Sequence, residues 1–307
     1  MKLNLSLLTT GAALLAATGA MANPTLGQAG SFGNSSISFV AINDAADTSL
    51  TVDLTAAVAS FLSTSTGLVT SNGALSAGGA TATWNFATNA YSVNGVAQTG
   101  NFSWTGATNS FLGTAAGAYR WGVIGGDAVQ GNLSASNVIF GQNIIYTGVS
   151  NDFDNSNDSG INNGAIANAA GNYNQFLAAT SNTGTHTTTV RGANVATAGT
   201  AFLGTALAAS GQGDFSQQFG TNSFLVAPTA VSKFYLSNQG GAAPRTFAIG
   251  APTTLGTEAA FAGTWTWDES TTTLSYNVAA IPEPGTYAML IGGLAAVGFM
   301  ARRRRSA

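Results

Sequence analysis

The feature that most constrains this chain is a period of two. Ser36-Ile37-Ser38-Phe39-Val40-Ala41-Ile42 and Ser49-Leu50-Thr51-Val52-Asp53-Leu54 are short alternating segments set between turn residues. The pattern continues at Thr81 to Phe86, Tyr91 to Val93, Asn101 to Thr105, Tyr119 to Ile124, Val138 to Phe140 and Asn143 to Thr147. It returns at Val231 to Leu236, Thr246 to Ile249, and the pair Trp265 to Trp267 and Thr273 to Val278. Successive side chains of a strand point to opposite faces, so each segment presents an apolar and a polar side. Asn94-Gly95 suits a two-residue hairpin turn. Short strands, Gly-rich turns and no strand–helix rhythm predict an all-β fold, an antiparallel, jelly-roll-like β-sandwich. No fixed-period repeat is present, which disfavours a solenoid.

One or two short helices interrupt this pattern. Ile166, Ala169, Ala170, Tyr173, Phe176 and Leu177 fall three and four apart, predicting an amphipathic helix from Asn163 to about Thr180. Thr200 to Ala209 is a second candidate, weakened by Gly204. Both are expected to pack over a sheet edge or end in a single body.

Charged residues are only 7% of the 307 positions, against roughly a quarter in an ordinary domain, too few for a coiled coil or a nucleic-acid binder. The absence of Cys removes disulfide frameworks, Cys-ligated metals and thiol nucleophiles together. A single His186, in a run of Thr, offers no metal pair and reads as a solvated side chain. The signatures of serine hydrolases, phosphate-binding loops and zinc proteases are absent, so no enzyme is expected. A glycoside-acting enzyme would need two acids about 5 to 10 Å apart, a role that Asp127, Asp214, Glu258 and Glu269 could fill only through the fold.

The two ends differ from the body. Lys2, an apolar run from Leu5 to Ala17, and Ala20-Met21-Ala22 form a signal peptide over residues 1–22, cut to leave Asn23 and handled by the export machinery and signal peptidase. At the other end Pro282-Glu283-Pro284 precedes 17 uncharged residues, Gly285 to Ala301, and then Arg302-Arg303-Arg304-Arg305. As a helix that stretch is about 26 Å long, near the lower limit for a transmembrane helix. The arginines hold the tail on the cytoplasmic side, so the body lies outside it. The two prolines remove backbone donors and keep Glu283 in an extended strip at the membrane's outer face.

This tail resembles the PEP-CTERM sorting signal of exported proteins in Gram-negative, exopolysaccharide-producing bacteria, also labelled the ice-binding protein C-terminal domain. The resemblance spans residues 280–307 and leaves 23–279 as the sandwich body. It implies recognition of Pro282, Glu283 and Pro284 by an exosortase, a membrane enzyme thought to use a cysteine nucleophile. It also implies an inner-membrane-anchored precursor, transient residence there, and delivery to the outer surface or extracellular matrix. Bodies that carry this tail are unrelated, so the tail implies nothing about the body's chemistry.

Within residues 23–281 four cations oppose eleven carboxylates, a formal charge of −7 that disfavours nucleic acid and anionic lipid. The best ligand-like pattern is Asp152, Asp154, Ser156 and Asp158, oxygens at alternating positions as a calcium loop requires. Ser159 replaces the turn glycine and Ala165 stands where the bidentate acid belongs, and a polar turn capping the next helix explains the same residues. No other cofactor is expected. Trp84, Trp104, Trp121, Trp265 and Trp267 are expected in the core, with a sugar-stacking platform as the alternative. Thr-x-Thr at 81–83, 185–189 and 264–266 is too irregularly spaced for an ice-binding array. The expected role is a structural or adhesive surface protein of the biofilm matrix associated with exopolysaccharide. The alternative is a secreted carbohydrate-binding or polysaccharide-acting protein.

Overall fold

The computed structural model describes residues 36–62, 71–115, 118–127, 143–148, 190–199, 201–204, 224–238, 245–248 and 263–280, together with 173, 176, 289 and 292–295. Among them the strands are β1 (Ser36–Asn43), β2 (Thr48–Ala57), β3 (Thr81–Asn85), β4 (Ala90–Val93), β5 (Val96–Ala97), β6 (Phe102–Ser103), β7 (Arg120–Asp127), β8 (Asn143–Gly148), β9 (Arg191–Ala196), β10 (Ser232–Asn238), β11 (Arg245–Ala248), β12 (Thr264–Asp268) and β13 (Thr273–Asn277). One helix, α1, covers Thr105–Ala115, and a 3₁₀ turn covers Val58–Phe61.

The strands form one hydrogen-bonded sheet in the order β5-β4-β3-β13-β12-β10-β8-β7-β1-β2-β9-β6, with β11 beside β10. All neighbours are antiparallel except β6 and β9. The layered all-β packing expected from the sequence is present, but one curled sheet makes it rather than two separate ones. Strand β10 explains how. Only Ser232 and Lys233 pair with β12, while residues 235–238 along the same strand pair with β11 instead. So narrow a junction lets the chain's ordinary strand twist carry one half of the sheet over the other.

The two halves meet through aromatic rings. Phe39 of β1 lies 5.4 Å from Phe86 and 5.0 Å from Trp267, between ring centroids. The Trp84 indole N–H crosses the core to donate to the Leu54 carbonyl at 2.7 Å. The strands β3, β12 and β13 keep strict alternation, with Trp84, Trp265, Trp267, Leu274 and Tyr276 inward. In β1 both faces are buried. Ile37 and Phe39 face the main core, while Val40 and Ile42 face a second cluster with Tyr173, Phe176 and Leu203. Tyr173 and Phe176 are helical, as the spacing predicts, and the Tyr173 hydroxyl lies 3.1 Å from both Ser38 Oγ and the Ile124 carbonyl. Of the second helix candidate, Leu203 and Gly204 are helical.

Two elements differ from expectation. Asn101 to Thr105 contributes only the two-residue β6, and the chain turns directly into α1. The helix start is held by a remote side chain: Asn89 Oδ1 accepts the backbone N–H groups of Trp104 and Thr105, at 2.7 and 3.2 Å. Strand β9, Arg-Gly-Ala-Asn-Val-Ala, has no alternation to reveal it, because Arg191 through Asn194 are all buried. Arg191 Nη1 lies 3.8 Å from Asp53 Oδ2 beside an irregularity in β2, where Asp53 Oδ1 also accepts the N–H of Thr55 at φ 62°.

Candidate functional site

The functional features converge on the sheet β4-β3-β13-β12, where the body ends and the tail begins. Alternation fixes its inner face as apolar, and the register then places the outward residues in ranks. Ser92, Thr83, Ser275 and Thr266 stand opposite one another across the four strands. Asn85, Thr273 and Asp268 form the next rank, and Thr81, Asn277 and Thr264 the one beyond. Thr83 Oγ1 and Ser92 Oγ are 2.6 Å apart, and Asn85 Nδ2 donates to Thr273 Oγ1 at 3.1 Å. The Thr pairs that look irregular along the chain are therefore neighbours in space. The third pair, at 185–189, lies outside the described residues.

Charge on this face is confined to Asp268. Its carboxylate accepts from the Ser270 and Thr271 hydroxyls at 2.7 and 2.8 Å, which lowers its pKa below the ordinary range. Behind the face, Tyr119 accepts from the Trp267 indole at 2.6 Å and donates to Glu269 Oε2 at 3.1 Å. Burial raises the phenols of Tyr91, Tyr119 and Tyr276 well above their usual pKa. Glu269 thus serves this hydrogen-bonded bridge. No group of His, Asp and Glu suited to a metal occurs among the described residues.

All five tryptophans are core residues, the most exposed being Trp267 at 6%. This corrects the sugar-stacking alternative, since packing the two halves of the curled sheet consumes every indole. Ala20, Ala22, Asn23, His186, Asp214, Glu258 and the proposed calcium ligands Asp152, Asp154, Ser156 and Asp158 lie outside the described residues. The same holds for Pro282, Glu283, Pro284 and Arg302 to Arg305.

The exit of the chain is described up to residue 280. Val278 donates to the Ala80 carbonyl and accepts from Gly79 N–H, both at 2.9 Å. Ala279 and Ala280 are exposed beyond this clamp. Nothing in the sequence marks Val278 as the last fixed point, because its partners are 198 and 199 residues away, at Ala80 and Gly79. In the tail, Met289 and Gly292 to Ala295 are helical and exposed, and no helix among the described residues is long and apolar enough to cross a membrane.

Two residues past the clamp, at residue 280, a match to the family model of the PEP-CTERM protein-sorting motif begins and runs to residue 305. The tail is a PEP-CTERM motif. It marks an exported, membrane-anchored precursor processed by an exosortase. The PEP-CTERM match covers the tail alone, and the body has no assigned family. No curated protein and no solved structure matches the chain.

Proposed function

We propose that this protein is a non-catalytic structural or adhesive component of a Gram-negative cell surface or biofilm matrix, released from its membrane anchor by exosortase cutting near Pro282-Glu283-Pro284. The PEP-CTERM motif at 280–305 carries this reading. The motif follows a body held rigidly to Val278, so the strip is presented to a membrane enzyme at a fixed place. Association with exopolysaccharide draws support from the outer face of β4-β3-β13-β12. Its hydroxyl and amide groups can both donate and accept, as a glycan's hydroxyls do.

The test replaces Pro282, Glu283 and Pro284 together by Ala and compares intact masses of the protein from membrane and extracellular fractions of its own host. The apolar span and arginines are untouched, so export and insertion persist while full-length protein accumulates in the inner membrane. A variant that is still trimmed and reaches the surface normally would sink the sorting reading.

A further inference from the structure

The clamp at Val278 restricts how the body can sit above a membrane. Four residues separate Val278 from Pro282 and seven separate it from Gly285, where the apolar stretch begins. At about 3.3 to 3.6 Å per residue the tether cannot exceed ~25 Å. A body of some 259 residues has a radius of gyration of roughly 18 Å, so it is wider than its tether is long. Two prolines in the tether stiffen it further. The body therefore cannot turn over to present its far end.

The end that must face the bilayer is built from three pieces. The Val278–Ala280 exit is bonded to Gly79 and Ala80, and Thr81 N–H donates to Asn94 Oδ1 at 2.8 Å, which ties in the Asn94-Gly95 turn. Asn94 Nδ2 reaches the Ala74 carbonyl at 3.4 Å. This rim, residues 73–80, 94–97 and 278–280, contains no charged side chain and exposes Ala77, Gly78, Asn94, Gly95, Val96 and Ala279. The nearby strand ends bear Lys233 and Asp127, one charge of each sign. The opposite end differs. The β12–β13 turn holds Asp268 and Glu269, and the β1–β2 turn holds Asp44 and Asp47, with Arg120 bound to Asp44 at 2.7 Å. Anionic headgroups repel acidic groups and leave an uncharged rim unopposed.

We propose that this rim is the surface on which the anchored precursor rests against the lipid headgroup layer, with the acidic turns pointing away. This rests on the sorting reading and adds an orientation to it. The anchored protein is thereby held with its Pro-Glu-Pro strip at the headgroup level.

The absence of Cys makes single-site labelling direct. Four full-length variants, Ala77→Cys and Val96→Cys on the rim and Ala46→Cys and Ala87→Cys at the opposite end, would each carry an environment-sensitive fluorophore. They are reconstituted into phosphatidylethanolamine–phosphatidylglycerol vesicles containing headgroup-nitroxide lipid. Quenching at 77 and 96 is expected to exceed that at 46 and 87 at least threefold. Equal quenching at all four sites, or stronger quenching at 46 and 87, overturns the proposal. Adding Val96→Asp to the Ala77→Cys protein should lower quenching at least twofold in these vesicles but not in phosphatidylcholine alone, and no difference between the two overturns the charge argument. Flotation with the vesicles reads the anchor separately. A chain that fails to float contradicts the sorting reading, whereas one that floats with uniform quenching contradicts only the orientation.

Discussion

Replacing Trp84 by Phe tests whether the two halves of the curled sheet are held together as described. Trp84 is fully buried, stacks on Tyr91 and Trp265 at 5.0 and 5.3 Å, and donates across the core to Leu54 O. Phenylalanine keeps an aromatic ring in place and deletes the donor. The orphaned carbonyl should cost about 1 to 3 kcal/mol. Lost ring volume adds about 1 kcal/mol, on the scale of a buried CH₂. The total is therefore about 2 to 4 kcal/mol, which for a body this size lowers the melting midpoint by roughly 4 to 16 °C. In urea, with a slope near 3 kcal/mol/M, the midpoint should fall by roughly 0.7 to 1.3 M with the slope unchanged. Intrinsic fluorescence reports the transition. Thr83→Val, one residue away on the outer face, is the control and should stay within about 0.5 kcal/mol. A Trp84→Phe midpoint indistinguishable from that control would mean that the indole does not bridge the halves, and the closed packing would be wrong.

Three further outcomes follow from the same residues. Stability should fall as pH rises above 10.0, the ordinary tyrosine value, because the raised phenols of Tyr91 and Tyr276 keep their protons in the fold while the unfolded chain releases them. The slope is about 1.4 kcal/mol per pH unit for each tyrosine, and denaturation midpoints constant from pH 9 to 11.5 would refute it. Replacing Arg302 to Arg305 by Ser should make trimming inefficient, since each guanidinium opposes entry into hydrocarbon by at least ~2.5 kcal/mol, and wild-type processing kinetics in a pulse-chase would contradict this. If Asp152, Asp154, Ser156 and Asp158 bind calcium, the lack of a twelfth-position acid limits affinity to about 10⁻⁴ to 10⁻³ M. At ~10 mM calcium that adds roughly 1.4 to 2.7 kcal/mol, so an identical melt in chelator ends the proposal.

The sequence by itself determined whatever depends on neighbours along the chain. Alternation at Thr81 to Phe86 and Trp265 to Trp267 specified strands and which face is buried, because side-chain direction follows from position on a strand. Asn94-Gly95 specified its turn, and both residues adopt positive φ, 50° and 77°. The contiguous tail was legible for the same reason, with its strip, apolar span and arginines in chain order. Tertiary structure decided what depends on distant partners. Strand β9 showed no alternation because it is covered on both sides, and α1 was obscured because its N-terminal cap is Asn89, fifteen residues before Trp104. The ranks joining Thr83 to Ser275 and Thr266 arise only from strand register. The closure of one sheet over itself depends on two residue pairs between β10 and β12. The last fixed residue of the body, Val278, was likewise set by its long-range bonds to Gly79 and Ala80, which no local pattern encodes.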